Sequence, residues 1–398
     1  MSTPRPPRAS VSGGARTALA GLTMMAIGCA SAPSDRDATG ITLDELRAGA
    51  PLGVEQGKAA LVDEGAVLAV SAEMQDFLNA HVARGADRAV RLRQLAYAIV
   101  DESRFGLKYD ETTRTASETF RTRRGNCLSF SNMFVAMARR AGLDVAFQEV
   151  DVPPDWSFEN DTFVLNRHVD VVVDLGKDGE HVVDFNMDDF RTTYDRRRIS
   201  DARALAHFYN NLAVERMQAG DTASALLYFR RATGHDASFS PAWTNLGILY
   251  LRKGHPHHAE AACLQALRAD EGDLVAMSNL ASLYERQGDE ARAVRYRSRV
   301  RDHRQRNPYY RFQLAREAFL ARDYDAAIGH LTYAIRKKKN EDQFYYLLGL
   351  CHLKKGEEQV ARRWLSRAEE VAATDALKRR YASKVDILLS APPGQDKP

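Results

Sequence analysis

From about position 206 onward, small and apolar residues recur along the chain with a period of 34 residues. One column of small residues is Ala213, Gly247, Ala281, Ala315 and Gly349, and a second is Ala225, Ala259, Ala293, Ala327 and Ala361. Leucines keep the same register at Leu212, Leu246, Leu280, Leu314 and Leu348. Small residues let paired helices approach closely and leucines fill the space between them, so this period predicts a stack of helix pairs.

Five units fit this register, at roughly 206–239, 240–273, 274–307, 308–341 and 342–375. The segment WTNLGILY, which begins at Trp243, carries an aromatic residue, Leu, Gly and Tyr at the spacing of the tetratricopeptide repeat, and the units resemble that family. The resemblance implies an all-α superhelix with a concave groove. Residues 376–390 are then expected to form a capping helix, and residues 391–398 a disordered tail.

A column of side-chain amides runs one position before the leucines, at Asn211, Asn245, Asn279 and Gln313. In tetratricopeptide arrays this position faces the groove, where an amide can donate to and accept from the backbone of an extended peptide. The alternative is that the amides are solvated, because amides are common on exposed helix faces. Four in register favour a groove that binds a peptide or a protein partner.

Residues 41–200 lack this period and indicate a separate α+β domain. The segments SAEMQDFLNAHVAR, from Ser71, and DRAVRLRQLAYAIV, from Asp87, have helical apolar spacing. After Gly142, a helix C-cap, three Val-rich segments predict strands: DVAFQEV from Asp144, NRHVDVVVDL from Asn166 and EHVVDF from Glu180. Helices first and antiparallel strands afterwards are typical of an α+β fold.

A candidate nucleophile lies at the start of a predicted helix in this domain. Gly125 permits a tight backbone, Asn126 can cap the helix, and Cys127 then occupies the first turn, where the positive end of the helix dipole favours a thiolate. His168 begins one strand of a predicted hairpin and Asp184 ends the other. A hairpin centred on Gly176 brings these two together, so His168 could serve as base to Cys127 while Asp184 orients its ring.

Gly125-Asn126-Cys127, His168 and Asp184 resemble, in order and spacing, the transglutaminase-like superfamily, a papain-related fold of cysteine enzymes. The resemblance covers roughly residues 95–190 and implies a Cys-His-Asp triad that needs no cofactor. Two features depart from the common pattern: Val169-Asp170 replaces the frequent Ala-Trp, and Phe185-Asn186 replaces Pro. Neither departure removes a triad side chain, so each bears on the substrate more than on the chemistry.

The alternatives are structural. A lone cysteine with apolar neighbours is more often a packing residue than a nucleophile, and His168 could be a hydrogen-bonded strand histidine. If the strand register differs, His181, Asp170 and Asp174 offer substitute partners, because a slip of one residue turns each side chain to the opposite face. The backbone N–H of Cys127 is the default oxyanion donor.

The N-terminal residues resemble a bacterial lipoprotein signal. Arg5, Arg8 and Arg16 precede the apolar run TALAGLTMMAI, which Ala26-Ile27-Gly28-Cys29 follows. We expect a signal peptide over 1–28, lipidation of Cys29 and a polar tether over 29–40, with the protein on the periplasmic face of the outer membrane. Ala26 stands where that motif most often has Leu, so cleavage after Ala32 and a soluble periplasmic or secreted protein remain the alternative.

Composition and charge exclude several classes of function. The chain has 398 residues, 44% of them hydrophobic, and its 56 basic and 53 acidic residues leave a net charge of +3. Such a balance gives no support to a nucleic-acid partner. CxxC and HExxH motifs do not occur in the sequence, so its spacing gives no support to a metal site, and the triad that the resemblance implies needs no cofactor. Cys263 and Cys351 fall at packing positions of the repeats and lie too far apart for a disulfide.

Together these features predict a cell-envelope enzyme in which Cys127 attacks a peptide or glutamine-type amide bond. Water or a second amine then resolves the thioester, and the repeats recruit the protein substrate or a partner. The alternative function is that of a binding lipoprotein, in which a degenerate transglutaminase-like domain holds peptides without cleaving them.

Overall fold

The computed structural model describes residues 39–54, 61–100, 105–150, 156–159, 162–165, 168–185, 195–372 and 378. All of them belong to one compact unit that begins at Arg36. The predicted signal peptide, Cys29, most of the tether, Asn186 and the predicted tail lie outside these residues, as does the predicted capping helix apart from residue 378. Within the described ranges, each helix is too short or too polar to cross a membrane.

Among the described residues, six α-helices precede the main sheet. Their bounds are α1 Leu43–Ala48, α2 Glu64–Val67, α3 Ala72–His81, α4 Arg88–Val100, α5 Ala116–Thr122 and α6 Cys127–Arg140. α3 and α4 match the helices predicted from Ser71 and from Asp87. Ser71 caps α3 by accepting a hydrogen bond from the N–H of Met74, which satisfies one of the free donors of a first helical turn.

The strands form one four-stranded antiparallel sheet and two small ladders. Their bounds are β1 Lys108–Tyr109, β2 Arg124–Gly125, β3 Asp144–Val150, β4 Trp156–Glu159, β5 Thr162–Leu165, β6 His168–Asp174, β7 Glu180–Val183 and β8 Arg196–Ile199. The large sheet has the order β7-β6-β3-β8, while β1 pairs with β2 and β4 with β5. The three Val-rich segments are thus strands β3, β6 and β7, as predicted.

α6 packs across one face of this sheet and forms the centre of the domain. Phe134 and Met137 of the helix and Phe147 and Val171 of the sheet are almost fully buried in one apolar cluster. Ser131 adds a polar tie, since its Oγ donates to the carbonyl of Val169 at 3.1 Å. The first turns of α6 are thereby fixed against the start of β6.

Five helix pairs follow in the part of the chain that the structure describes. They are α7 Asp201–Gln218 with α8 Thr222–His235, α9 Ser240–Arg252 with α10 Pro256–Ala269, α11 Leu274–Arg286 with α12 Glu290–Arg306, α13 Pro308–Leu320 with α14 Tyr324–Lys337, and α15 Asp342–Lys354 with α16 Glu358–Val371. The small-residue columns lie where the helices of a pair come closest. A Cβ on Gly247 would lie 2.9 Å from the Sγ of Cys263, and one on Gly349 would lie 2.6 Å from Cγ of Leu365.

The apolar core crosses the boundary between the two regions. One cluster joins the first domain to the first three helix pairs, and a second, separate cluster extends from Ala315 to Cys351 in the last two pairs. α1 packs against α8 and α10, and the hydroxyl of Tyr250 donates to the carbonyl of Leu46 at 2.6 Å. The repeats therefore support the first domain along its N-terminal segment.

Cys263 and Cys351 are packing residues, as their positions in the repeat predict. Both are buried free thiols, Cys263 in the first cluster and Cys351 in the second. Burial raises the pKa of Cys263, and burial raises the pKa of Cys351 to about 11. Neither thiol is suited to nucleophilic chemistry at neutral pH.

Candidate active site

Cys127 is the first residue of α6, where it is only half-buried. Asn126 caps the helix, since its Oδ1 accepts from the N–H of Ser129 at 2.9 Å while its Nδ2 donates to Oγ1 of Thr113 at 2.9 Å. Gly125 is required by space, because a Cβ there would lie 2.5 Å from Cβ of Ser129. The Gly-Asn-Cys segment therefore places a thiol at the exposed, positive end of a buried helix.

His168 lies between Cys127 and Asp184. Its Nε2 is 2.9 Å from Oδ1 and 3.0 Å from Oδ2 of Asp184, and the exposed fractions of the two side chains are 13% and 5%. Burial alone would lower the pKa of His168. Hydrogen bonds with Asp184 and with the Cys127 thiol outweigh that cost and raise this pKa to about 10. The structure thus brings the three predicted residues together, with an imidazolium beside the thiol over the neutral pH range.

The hairpin that joins His168 to Asp184 has a different centre from the predicted one. Val173 pairs with His181 and Asp174 with Glu180, so the midpoint is position 177 and not Gly176. Moving the centre by one residue changes the cross-strand partner by two, which leaves every side chain on its face. Asp184 therefore lies diagonally from His168 instead of directly opposite, still within reach on the same face.

Asp184 is followed by Phe185, whose ring is anchored on α6. Its centroid lies 5.5 Å from the ring of Phe130 and 5.9 Å from the ring of Phe134. Because α6 also begins with Cys127, the same helix positions the thiol and the chain next to the carboxylate. Phe185, which stands where the transglutaminase-like pattern commonly has Pro, thus has a packing role.

Two of the three substitute partners are engaged elsewhere or point away. Asp174 accepts a hydrogen bond from the N–H of Gly176 at 2.7 Å and stabilises the hairpin turn. His181 is exposed on the edge strand β7. Neither is in the position to replace His168 or Asp184.

Asp170 is a buried carboxylate two residues beyond His168. Its Oδ2 accepts from Nε of Arg196 at 2.8 Å, whereas Oδ1 is buried with no hydrogen-bond partner among the residues that the structure describes. Burial raises the pKa of Asp170 to about 6 against the opposing effect of Arg196, and Asp184 raises it further. Asp170 therefore lies under the site as a group that can hold a proton, a role that the sequence did not indicate.

Tyr109 is a second residue that the sequence did not indicate. β1 pairs in parallel with β2 so that Tyr109 lies beside Gly125, two residues before Cys127, and 67% of its side chain is exposed. Partial burial of the hydroxyl raises its pKa, and the charges of Cys127 and Glu111 raise it further. An exposed aromatic ring next to the thiol is suited to contact a substrate side chain. The position of Tyr109 depends on a strand pairing of two residues, which no local sequence pattern indicates.

The amide column does not have one uniform environment. Asn211 is half-buried, Gln313 is exposed, and Asn245 donates from Nδ2 to Oδ1 of Asn210 at 3.0 Å. Asn279 is 7% exposed, and its Nδ2 finds no acceptor within the described part of the chain. Strand β5 contacts α11, the helix that carries Asn279. Of the four amides, Asn279 is thus the one with an unused buried donor.

Among the described residues, no group of three or more His, Cys, Asp or Glu side chains could hold a metal ion.

Two known families match separate parts of the chain. The Transglutaminase-like superfamily matches residues 76–184, a range that contains Cys127 and His168 and ends at Asp184. The Tetratricopeptide repeat matches residues 210–273, 244–301 and 312–376. No curated protein matches the chain.

Solved structures match less than half of the chain. The crystal structure of MamA is 19% identical and covers 44% of this chain and 95% of its own, with a TM-score of 0.24. YrrB, described as a TPR protein with an unusual peptide-binding site, is 21% identical over 45% of this chain and 92% of its own, with a TM-score of 0.24. A MamA fragment from Desulfovibrio magneticus RS-1 is 15% identical over 43% of this chain and 96% of its own, also with a TM-score of 0.24.

Proposed function

We propose that this chain, which carries a transglutaminase-like domain followed by tetratricopeptide repeats, is a cysteine enzyme that acts on amide bonds of a protein held by its repeats. The observation that carries the proposal is the position of His168, whose Nε2 lies 2.9 Å from Asp184 and whose pKa is raised by the neighbouring Cys127 thiol. A packing cysteine has no need of such a partner. The substrate bond would be a peptide bond or a glutamine side-chain amide.

In this proposal each nitrogen of His168 has its own role. Since Asp184 engages Nε2, Nδ1 is the nitrogen left for the thiol. The thiolate attacks the amide carbon and forms a C–S bond, and the oxyanion is stabilised by the N–H of Cys127. His168 then gives its proton to the leaving amine as the C–N bond breaks, which leaves a thioester. Asp184 keeps the ring oriented and stabilises its positive charge.

The second half of the reaction decides between hydrolysis and transfer. His168, now neutral, takes a proton from the incoming nucleophile, which attacks the thioester and releases Cys127 as a thiolate. Water gives a carboxylic acid, whereas an amine gives a new amide bond. Because Cys127 is only half-buried, water has access, and hydrolysis is the expected outcome when no amine is bound nearby.

In this proposal the repeats bind the protein partner. The buried Nδ2 donor of Asn279 is suited to a backbone carbonyl of an extended peptide, and Asn211, Asn245 and Gln313 continue the same column. Binding on the repeats raises the local concentration of substrate at Cys127, which should improve affinity more than turnover.

We also propose attachment to the membrane through a lipid on Cys29, on the periplasmic face of the outer membrane. Its support is the N-terminal sequence, with three arginines, a short apolar run and Ala26-Ile27-Gly28-Cys29. Changing Cys29→Ala should move the mature protein from the membrane fraction to the soluble fraction. A mature N-terminus at Pro33 would instead indicate an ordinary secretory signal.

A thiol-labelling experiment tests the enzymatic proposal without a known substrate. At pH 7, iodoacetamide should alkylate Cys127 rapidly, while the buried Cys263 and Cys351 of the same molecule serve as internal controls. His168→Ala should slow the labelling of Cys127 by about 100-fold, because the imidazolium no longer favours the thiolate. His181→Ala, which changes an exposed histidine of the same hairpin, should have no effect. Slow labelling of Cys127, or a rate independent of His168, would favour a binding protein with a degenerate domain.

A further inference from the structure

The loop between β1 and α5, residues 110–115, connects the start of α6 to the first helix of the repeats. On one side of the loop, the N–H of Thr113 donates to Oε1 of Glu215 on α7 at 2.7 Å. On the other side, Oγ1 of Thr113 accepts from Nδ2 of Asn126 at 2.9 Å. Thr113 and Asn126 are only 5% and 8% exposed, so water competes little for these bonds. One threonine therefore links a carboxylate of the repeats to the residue that caps the helix of Cys127.

Glu215 departs from the packing pattern of the repeats. At intervals of 34 residues, the equivalent positions hold Leu249, Leu283, Glu317 and Cys351. The two leucines and the cysteine are buried, whereas Glu317 is exposed. Glu215 is half-buried, and burial raises the pKa of its carboxyl. A carboxylate that is partly removed from water is costly unless it accepts hydrogen bonds, so the loop at Thr113 supplies what this position of the first repeat requires.

The same loop fixes the orientation of the Asn126 amide. Oδ1 of Asn126 accepts from the N–H and from the hydroxyl of Ser129, both at 2.9 Å. This cap requires Nδ2 to point away from the helix, where Oγ1 of Thr113 accepts from it at 2.9 Å and the carbonyl of Glu111 at 3.4 Å. The hydroxyl of Ser129 also accepts from the N–H of Arg114 at 2.9 Å. The loop therefore holds both side chains that shape the first turn of α6.

The first turn of α6 determines where the thiol lies. Cys127 is the first residue of α6, whereas His168 begins β6, a separate element. Asp184 holds the ring of His168 at 2.9 Å, so the imidazole would not follow the thiol if the helix began elsewhere. A helix that loses its cap frays at the first turn. The approach of Cys127 to His168 thus depends on how firmly Asn126 is held.

We infer that Glu215 of the first repeat is a positioning residue for the nucleophile: through Thr113 and Asn126 it holds the start of α6 where the thiol of Cys127 meets His168. The inference rests on the proposed function, because it gives a repeat residue a role in the same reaction. Glu215 touches none of the reacting atoms, so its contribution is to the reactivity of the thiol. The first repeat is then part of the support of the active site, in addition to any role in binding a partner.

The test compares the same substitution at equivalent positions of two repeats, in the full chain. Glu215→Leu introduces the residue that two other repeats carry and removes the acceptor for Thr113, whereas Glu317→Leu makes the same change at an exposed position of the fourth repeat. Iodoacetamide should alkylate Cys127 about tenfold more slowly in Glu215→Leu than in the native protein at pH 7. The rate should stay within about twofold of native in Glu317→Leu, and also in Glu215→Gln, whose amide oxygen still accepts from Thr113.

Amide hydrogen exchange gives a second readout, which does not depend on the chemistry of the thiol. The N–H of Ser129, which Asn126 protects, should exchange about tenfold faster in Glu215→Leu and at the native rate in Glu317→Leu. Helix α9 is the internal reference, because a general loss of stability would raise exchange there as well. Faster exchange confined to the start of α6 is the expected result.

The outcomes separate this inference from the enzymatic proposal. Native labelling and native exchange in Glu215→Leu would overturn the inference and leave the enzymatic proposal intact, and a uniform rise in exchange would overturn it by reducing Glu215 to a stabilising contact. Slow labelling of the native protein, with faster exchange at Ser129 in Glu215→Leu, would reject the enzymatic proposal and support the positioning of α6. If Glu215→Leu fails to fold, Thr113→Val keeps the N–H that donates to Glu215 and loses the hydroxyl. Labelling of Cys127 at the native rate in Thr113→Val would contradict the inference.

Discussion

At the residue scale, the start of α6 could be predicted from the sequence. A short polar residue after a glycine is a local signal for the start of a helix, and in the structure Asn126 caps α6 and Cys127 is its first residue. The roles of Asp170 and Tyr109 beside the site could not be predicted. Asp170 on β6 meets Arg196 on β8 only because these two strands flank β3 in the sheet. Tyr109 lies near Cys127 only because β1 pairs with β2. Such neighbours depend on strand order, which a single sequence does not contain.

The buried proton site at Asp170 gives a prediction for stability against pH. Its pKa is raised to about 6 in the folded protein, from about 3.9 in an unfolded chain. A raised pKa means that the folded state binds the proton more tightly, so the stabilisation is complete below pH of about 4 and lost as pH rises past about 6. Between pH 4.5 and 7.5, Asp170→Asn should remove about 2 kcal/mol of this decline, as measured by urea unfolding. Asp174→Asn is the control on the same strand, and equal pH dependence in both variants would contradict the assignment.

At the element scale, helices and strands with a clear apolar pattern were predicted, whereas strands without one, such as β1, β2 and β8, were not. β3 extends from Asp144 to Val150 as its alternating Val-rich sequence indicates. β8, Arg196–Ile199, is a strand of three arginines and one isoleucine, and its charges pair with Asp170 and Glu149 instead of facing water alone. The predicted hairpin was off by one residue at its centre because Gly176 and Gly179 both suit the turn, and only the ladder decides between the two registers.

The close approach of paired helices predicts opposite effects for two glycines. A Cβ on Gly349 in α15 would lie 2.6 Å from Leu365, so Gly349→Ala should lower the free energy of unfolding by about 1–2 kcal/mol despite the better helix propensity of alanine. Gly329 in α14 has nothing within 4 Å of such an atom, so Gly329→Ala should raise the free energy of unfolding by about 0.5–1 kcal/mol. Urea unfolding measures both. Changes of the same sign would mean that the small-residue columns do not reflect helix contact.

At the scale of the whole molecule, the two regions are joined by a buried polar network that composition could not reveal. Glu149 of β3 accepts from Nε of Arg203 at 2.7 Å and lies 2.7 Å from Nε2 of His207, both on α7. Arg203 also forms a salt bridge with Asp236 at 3.0 Å. Burial alone would raise the pKa of Glu149, but His207 and Arg203 outweigh it and hold that pKa below its usual range. A charge buried in this way requires its partners, so the sheet depends on the first repeat.

This dependence predicts which fragments fold. A fragment of residues 39–200 lacks α7 and α8, which complete both the Glu149 network and the apolar cluster. It should show no cooperative thermal transition by circular dichroism, because its buried carboxylate and apolar face would be exposed. A fragment of residues 39–273 retains two helix pairs and should unfold cooperatively. A cooperative transition in the shorter fragment would show that the first domain is independent of the repeats.

The proposed function requires that the Cys127 thiol help to keep His168 protonated, and NMR of the His168 ring against pH tests this requirement most directly. In the native protein the ring should remain protonated at pH 8, because hydrogen bonds with Asp184 and Cys127 raise its pKa to about 10. In Cys127→Ser, which removes the ionisable partner, that pKa should fall clearly below the native value. A ring that titrates near pH of about 6.5 in both proteins would contradict the account and leave Cys127 as a cysteine without a base.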